Sequence, residues 1–169
     1  RQHRHRFVHL DALAFINLAP EHIESHGSLQ AYSDAKFELG KQLARSKKHP
    51  RFMIANADDP ESGRFLSLPV EHTLPFSLSA AQPFEAGERG GHFTFDGQRI
   101  DVRLPGEFSL KNALAAATMM RALGFPLEAI ARGIASVTKI PGRAEEITAG
   151  QTFPVIVDYA HTPDSLRAL

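Results

Sequence analysis

The residues best suited to chemistry crowd into one stretch of this 169-residue chain, Asn17-Leu18-Ala19-Pro20-Glu21-His22-Ile23-Glu24-Ser25-His26-Gly27. Two histidines and two carboxylates lie there, side chains that ligate metals or exchange protons near neutral pH. On residue types alone, a solvated polar loop is the commoner outcome for such a cluster. Lys36 follows fourteen residues after His22, on a helix face shared with Tyr32. A lysine so placed ordinarily lays its stem along apolar surface and keeps its ammonium in water. A complete phosphate-binding loop is missing from the sequence. Gly40-Lys41 is followed by Gln42 instead of Ser or Thr, and no glycine stands at the required upstream spacing.

Regular elements must position these groups. Leu10 to Asn17 is an apolar run with little alternation, which suits a strand covered on both faces. The polar stretch then falls at a strand's carboxyl end, where open α/β sheets bind ligands. Ser28 is suited to cap a helix whose apolar positions are Leu29, Tyr32, Ala35, Leu39 and Leu43. Lys47, Lys48 and His49 close that helix and Pro50 stops it. Phe52 to Asn56 reads as a second buried strand, a parallel neighbour of the first, with Asn17 and Asn56 at the carboxyl ends. Asp59-Pro60 opens a short helix. His92 to Phe95 and Gln98 to Leu104 form a hairpin across Asp96-Gly97, a pair fitted to the positive backbone angles of a tight turn. Helices are predicted at Leu110 to Leu123, closed by Gly124, and at Pro126 to Ser136. Ile140-Pro141-Gly142-Arg143 reads as a domain boundary. A β segment follows at Phe153 to Asp158, then a helix near Thr162-Pro163-Asp164. Strands alternating with helices make the fold class α/β, a mostly parallel sheet flanked by helices with a β-hairpin insertion.

Composition narrows the function classes. Nineteen basic and nineteen acidic side chains cancel, so no global field draws the chain to nucleic acid or an anionic membrane. Arg1-Gln2-His3-Arg4-His5-Arg6 is basic but short and lacks interleaved aromatics, which argues against a nucleic-acid site. The chain has no cysteine, which excludes disulfides and thiolate metal sites. No apolar run approaches the roughly 18 residues of a membrane span.

Five motifs, in order along the chain, resemble one family. Asn17 to Gly27 with Tyr32, Ala35 and Lys36 is similar to N-[LI]-[ST]-x-D-H-[LM]-D-x-H-G followed by Y-x-x-A-K. Asn56-Ala57-Asp58-Asp59, Gly106 to Ala113 (GEFSLKNA), Pro141-Gly142-Arg143-Ala144-Glu145 and Asp158-Tyr159-Ala160-His161-Thr162-Pro163-Asp164 match its later motifs. The pattern is that of the Mur ligases. The last motif has the form carried by the branch that adds the third residue of the peptidoglycan stem peptide.

The resemblance implies an ATP-dependent amide-bond ligase acting on UDP-MurNAc-L-Ala-D-Glu through an acyl phosphate, with a diamino acid or other amino acid as the attacking amine. It implies Mg²⁺ as cofactor, a cytoplasmic location and a monomeric enzyme. Lys36 matches the family's carbamylated lysine and His22 the histidine that, with it, holds the second Mg²⁺. Asn112 would meet the adenine, Arg143 and His161 the nucleotide phosphates, and Asp158 the ribose hydroxyls. Residues 1–141 would be the rear of the central ATP-binding domain and 142–169 the start of a Rossmann-like carboxy-terminal domain. The phosphate loop would lie upstream, leaving the polypeptide as given without activity. Two positions depart from the pattern: Glu21 stands for the family aspartate and Ser109 for its first asparagine at the helix start. They leave open a catalytically silent homologue used for binding or assembly. Cyanophycin synthetase and folylpolyglutamate synthase are rivals within the superfamily, and the Asp158 to Pro163 motif argues against both.

Overall fold

A computed structural model describes residues 7–19, 26–161 and 163–168. Its centre is a parallel three-stranded sheet in the order β1 (Ala12–Phe15), β2 (Phe52–Asn56), β3 (His72–Phe76). The first two are the strands predicted from the apolar runs, paired parallel as expected. The side chains of β2 divide by alternation. Met53 and Ala55 join Phe15, Leu43, Phe65 and Leu68 on one face, while Ile54 joins Phe76, Phe93, Ile100, Leu110 and Leu114 on the other. Burial on both faces is why these strands show no polar alternation in the sequence.

One face is covered by α1 (Leu29–Ala44) and α2 (Ser62–Leu66). Ser28 caps α1 as expected, its hydroxyl accepting from Ala31 N at 3.1 Å. The buried side of α1 differs from the predicted one. Ser33, Gly40 and Leu43 face inward, whereas Leu29 and Ala35 are exposed. The reason is close approach. A Cβ on Gly40 would stand 2.8 Å from Leu68 Cδ1, so the helix packs through its smallest residue. The helix also ends at Ala44, before the lysines expected to close it. Pro60 lies in the turn ahead of α2 and outside the helix itself.

The other face meets an antiparallel sheet of β4 (Glu85–Gly87), β5 (Gly90–Phe95) and β6 (Gln98–Val102), together with α3 (Gly106–Ala122) and α4 (Leu127–Ser136). Asp96 at φ 48° and Gly97 at φ 77° make the β5–β6 turn as predicted. Sequence reading missed β3 and β4. β3 contains Pro75, a breaker in isolation, tolerated here because β3 pairs on one side only among the described residues. At the amino ends of β2 and β3, the Arg51 side chain donates to both Glu71 carboxylate oxygens, at 2.8 and 2.9 Å. That contact holds the Glu71 carboxyl well below the usual carboxylate range.

Past α4, the chain turns at Ile140 to Arg143 and forms a two-stranded ribbon, β7 (Glu145–Glu146) with β8 (Ile156–Val157), before α5 (Pro163–Ala168). The β segment expected over Phe153 to Asp158 is thus paired over two residues only.

Candidate active site

The carboxyl ends of β1 and β2 are tied together by the turn that leaves β2. Asn56, buried at the end of that strand, donates through Nδ2 to Ile16 O at 3.0 Å and accepts from Asp58 N at 3.1 Å. Asp59 accepts through Oδ2 from Leu18 N at 2.7 Å and through Oδ1 from Glu61 N at 2.9 Å. Asp58 accepts from Leu78 N at 3.3 Å, beyond β3. Three short polar side chains thereby fix the backbone leaving all three strands. A polar run ending an apolar strand is their signal in the sequence; the partners they reach are not.

Lys36 points into the same end. Its Nζ donates to Asn17 O at 3.1 Å and lies 5.0 Å from the centre of the Tyr32 ring. Tyr32 in turn packs against His26, with ring centres 5.2 Å apart. The structure thus brings Lys36 to the strand end predicted for it. Glu21 and His22 lie outside the described residues. The helix carrying Lys36 is held from α2 by a network that sequence reading also missed. Ser33 donates to Glu61, Arg64 donates to Ser33 at 3.2 Å and to Asp34 at 2.5 Å, and the Arg64 guanidinium lies 4.2 Å from the centre of the Phe37 ring. The Arg64 hydrogen bond lowers the pKa of Asp34.

A second group forms on the ribbon. Asp158 accepts from Ala144 N at 2.6 Å and from Ala160 N at 2.5 Å, so each carboxylate oxygen already holds one backbone amide. The Arg143 guanidinium lies 5.2 Å from the Tyr159 ring centre, and Tyr159 meets His161 edge-on at 5.1 Å. The structure therefore brings Arg143, Asp158 and His161 together. Asn112 stands exposed on α3, well inside a helix that begins at Gly106, so it is not a cap. Ser109, buried one turn earlier, donates to Pro105 O. An apolar groove of about 380 Å³, lined by Ala116, Met120, Phe125, Ala129, Ile130 and Ile134, opens between α3 and α4 one turn beyond Asn112.

The profile of the Mur ligase middle domain matches residues 1–120. The chain belongs to the Mur ligase family. Among curated Mur ligases, it is 36% identical over 169 residues to the UDP-N-acetylmuramoyl-L-alanyl-D-glutamate–2,6-diaminopimelate ligase of Listeria monocytogenes, covering 92% of this chain and 34% of that protein. Against the ligase of the same name from Bacillus licheniformis the identity is 37% over 170 residues, covering 93% and 34%. The chain thus spans about a third of the length of the curated relatives it matches. A solved structure of a ligase with that name is 27% identical, with a TM-score of 0.71, and covers 93% of this chain and 34% of its own. Two further Mur ligase structures support the fold alone. MurF from Acinetobacter baumannii has 23% identity and a TM-score of 0.77, covering 94% of this chain and 36% of its own. MurF from Thermotoga maritima in complex with ADP has 20% identity and a TM-score of 0.74, covering 95% and 38%. The mostly parallel α/β fold read from the sequence is the fold of these ligases.

Proposed function

We propose that this chain is part of an ATP-dependent ligase that joins 2,6-diaminopimelate to the D-glutamate γ-carboxylate of UDP-MurNAc-L-Ala-D-Glu, with Lys36 as its central working group. In this reading residues 1–141 are the rear of the nucleotide-binding central domain and 142–169 begin the next domain. The observation that carries the proposal is the placement of Lys36 at the carboxyl edge of the parallel sheet, its Nζ 3.1 Å from Asn17 O. Ligands of open α/β sheets bind at that edge. The similarity to the diaminopimelate ligases supports the choice of substrates.

The γ-carboxylate takes the terminal phosphoryl group of ATP, giving an acyl phosphate and ADP. The amine of the diamino acid attacks the acyl carbon, the C–O bond to phosphate breaks, and the amine loses a proton as the amide forms. Lys36 serves as a carbamate, made when its neutral amine adds to CO₂ and releases a proton. Carbamate oxygens suit a hard cation, and the nitrogen already lies beside a carbonyl oxygen at the sheet edge. Such a site would rest on the Lys36 carbamate with His22, the pairing that the family resemblance implies. Mg²⁺ bound there would neutralise the crowded phosphoryl oxygens. Asn112 is assigned to the adenine, Arg143 and His161 to the phosphates. Asp158 is assigned to the ribose, through the acceptor capacity left beside its two backbone bonds. Ser109, which departs from the family pattern, spends its hydroxyl within α3 on Pro105 O.

The test is Lys36→Ala in an enzyme extended to the length of the curated relatives. Turnover should fall by about two orders of magnitude or more, acetate should restore part of it, and Lys36→Arg should stay inactive because it keeps the charge and forms no carbamate. Near wild-type turnover of Lys36→Ala at low bicarbonate would refute the proposal.

A further inference from the structure

We infer that Asp59 is a positioning residue for Lys36 and acts on it through one peptide group. The inference rests on the reading of Lys36 given above and deepens it. Leu18 N and Asn17 O belong to the same peptide. Its N–H donates to Asp59 Oδ2 at 2.7 Å, and its carbonyl accepts from Lys36 Nζ at 3.1 Å. The unit is planar and stiff, so fixing one edge fixes the direction of the other. Asp59 is itself anchored, its Oδ1 accepting from Glu61 N at 2.9 Å and its own N–H donating to Asn56 O at 3.1 Å. The preceding carbonyl, Ile16 O, is held by Asn56 Nδ2 at 3.0 Å. The turn after β2 therefore aims the carbonyl that receives Lys36, although Asp59 is not seen to touch the lysine.

A carboxylate accepts an amide proton more strongly than a neutral group does, and an acceptor bonded to a peptide's N–H polarises the carbonyl at its other edge. When the Lys36 nitrogen adds to CO₂, its lone pair forms the N–C bond, one C–O π pair moves onto oxygen, and a proton leaves to solvent. One N–H remains. Carbamate resonance keeps that N–H and the new carboxylate in one plane, as in a peptide. An N–H anchored on Asn17 O fixes the plane in which the carbamate oxygens lie. Asp59 thus decides that plane.

The test uses Asp59→Ala and Asp59→Asn beside Lys36→Ala. The isosteric Asn variant keeps the volume but can accept only one of the two amides, which guards against simple misfolding of the Ala variant. In the chain itself, the Leu18 amide should exchange with solvent about tenfold faster in Asp59→Ala, from loss of a charged acceptor. With ¹³C-bicarbonate, the wild-type carbamate carbon should give one narrow NMR line that shifts or broadens in both Asp59 variants. In the extended enzyme, kcat should fall about 10- to 100-fold in both, with KM for ATP within about twofold, as for a group held slightly out of place. Unchanged Leu18 exchange, or a lowered kcat with an unmoved carbamate line, would overturn the inference. If Lys36→Ala keeps full turnover, the reading of Lys36 fails instead. If Lys36→Ala is inactive while both Asp59 variants turn over normally, only the inference on Asp59 fails.

Discussion

The two groups of candidate site residues are held in opposite ways. At the carboxyl edge of the parallel sheet, Asn56 and Asp59 reach back forty-odd residues to Ile16 O and Leu18 N, and the strands beneath are buried on both faces. On the ribbon, Asp158 reaches fourteen residues to Ala144 N and two to Ala160 N. Its surroundings are open: Phe153 is 64% exposed, Ile156 52% and Val157 45%. A two-stranded ribbon with its apolar side chains in water contributes little stability of its own. Catalytic geometry that must be held to fractions of an ångström gains from the first kind of support. Among the described residues the ribbon has no such support; residues 142–169 are proposed to be only the start of a further domain.

Substitutions can break or sharpen that contrast. The largest effect is expected for Asn56→Asp, which places a carboxylate oxygen against Ile16 O in a buried position and should cost about 3 kcal/mol. A denaturant midpoint close to wild type would show that the sheet edge is looser than its hydrogen bonds imply. Asp158→Ala should cost about 1 kcal/mol, and only locally. Amide exchange at Ala144 and Ala160 should speed up while the global midpoint stays in place. A shifted midpoint would mean that the ribbon and the core unfold together. Glu71→Gln probes the opposite end of the sheet and should have the smallest effect, visible as pH dependence. Arg51 depresses the folded Glu71 pKa, so the stability it adds is fully present above the ordinary value of 4.5 and is lost as pH falls below it. Acid titrations of wild type and variant should therefore run parallel above that pH and converge beneath it. Parallel curves throughout would remove Glu71 from the acid limb.

Much of the fold was legible because local preferences agreed with the final structure. Ser28 caps α1 in the structure as its residue type suggests, Asp96-Gly97 turns the β5–β6 hairpin, and the unbroken apolar runs of β1 and β2 mark strands covered on both faces. Within the candidate site, the family resemblance picked out Lys36, Arg143, Asp158 and His161; the structure places Lys36 at the end of β1 and Arg143, Asp158 and His161 near one another on the ribbon. His22 lies outside the described residues.

The sequence by itself determined the α/β class, the two central strands, the hairpin and the family, since each depends on residues near one another in the chain or on motifs in order. Tertiary structure alone decided the rest. β3 exists because β2 offers a parallel partner, which outweighs Pro75. The inward side of α1 was set by the room beside Leu68 and Phe65, which selected Gly40 over the larger apolar residues. The role of Asp59 depends on Leu18, forty-one residues away, and no local preference encodes that distance. Periodicity reports what a segment prefers in isolation; the choice of partner depends on the energy of contacts that form only when distant segments pack.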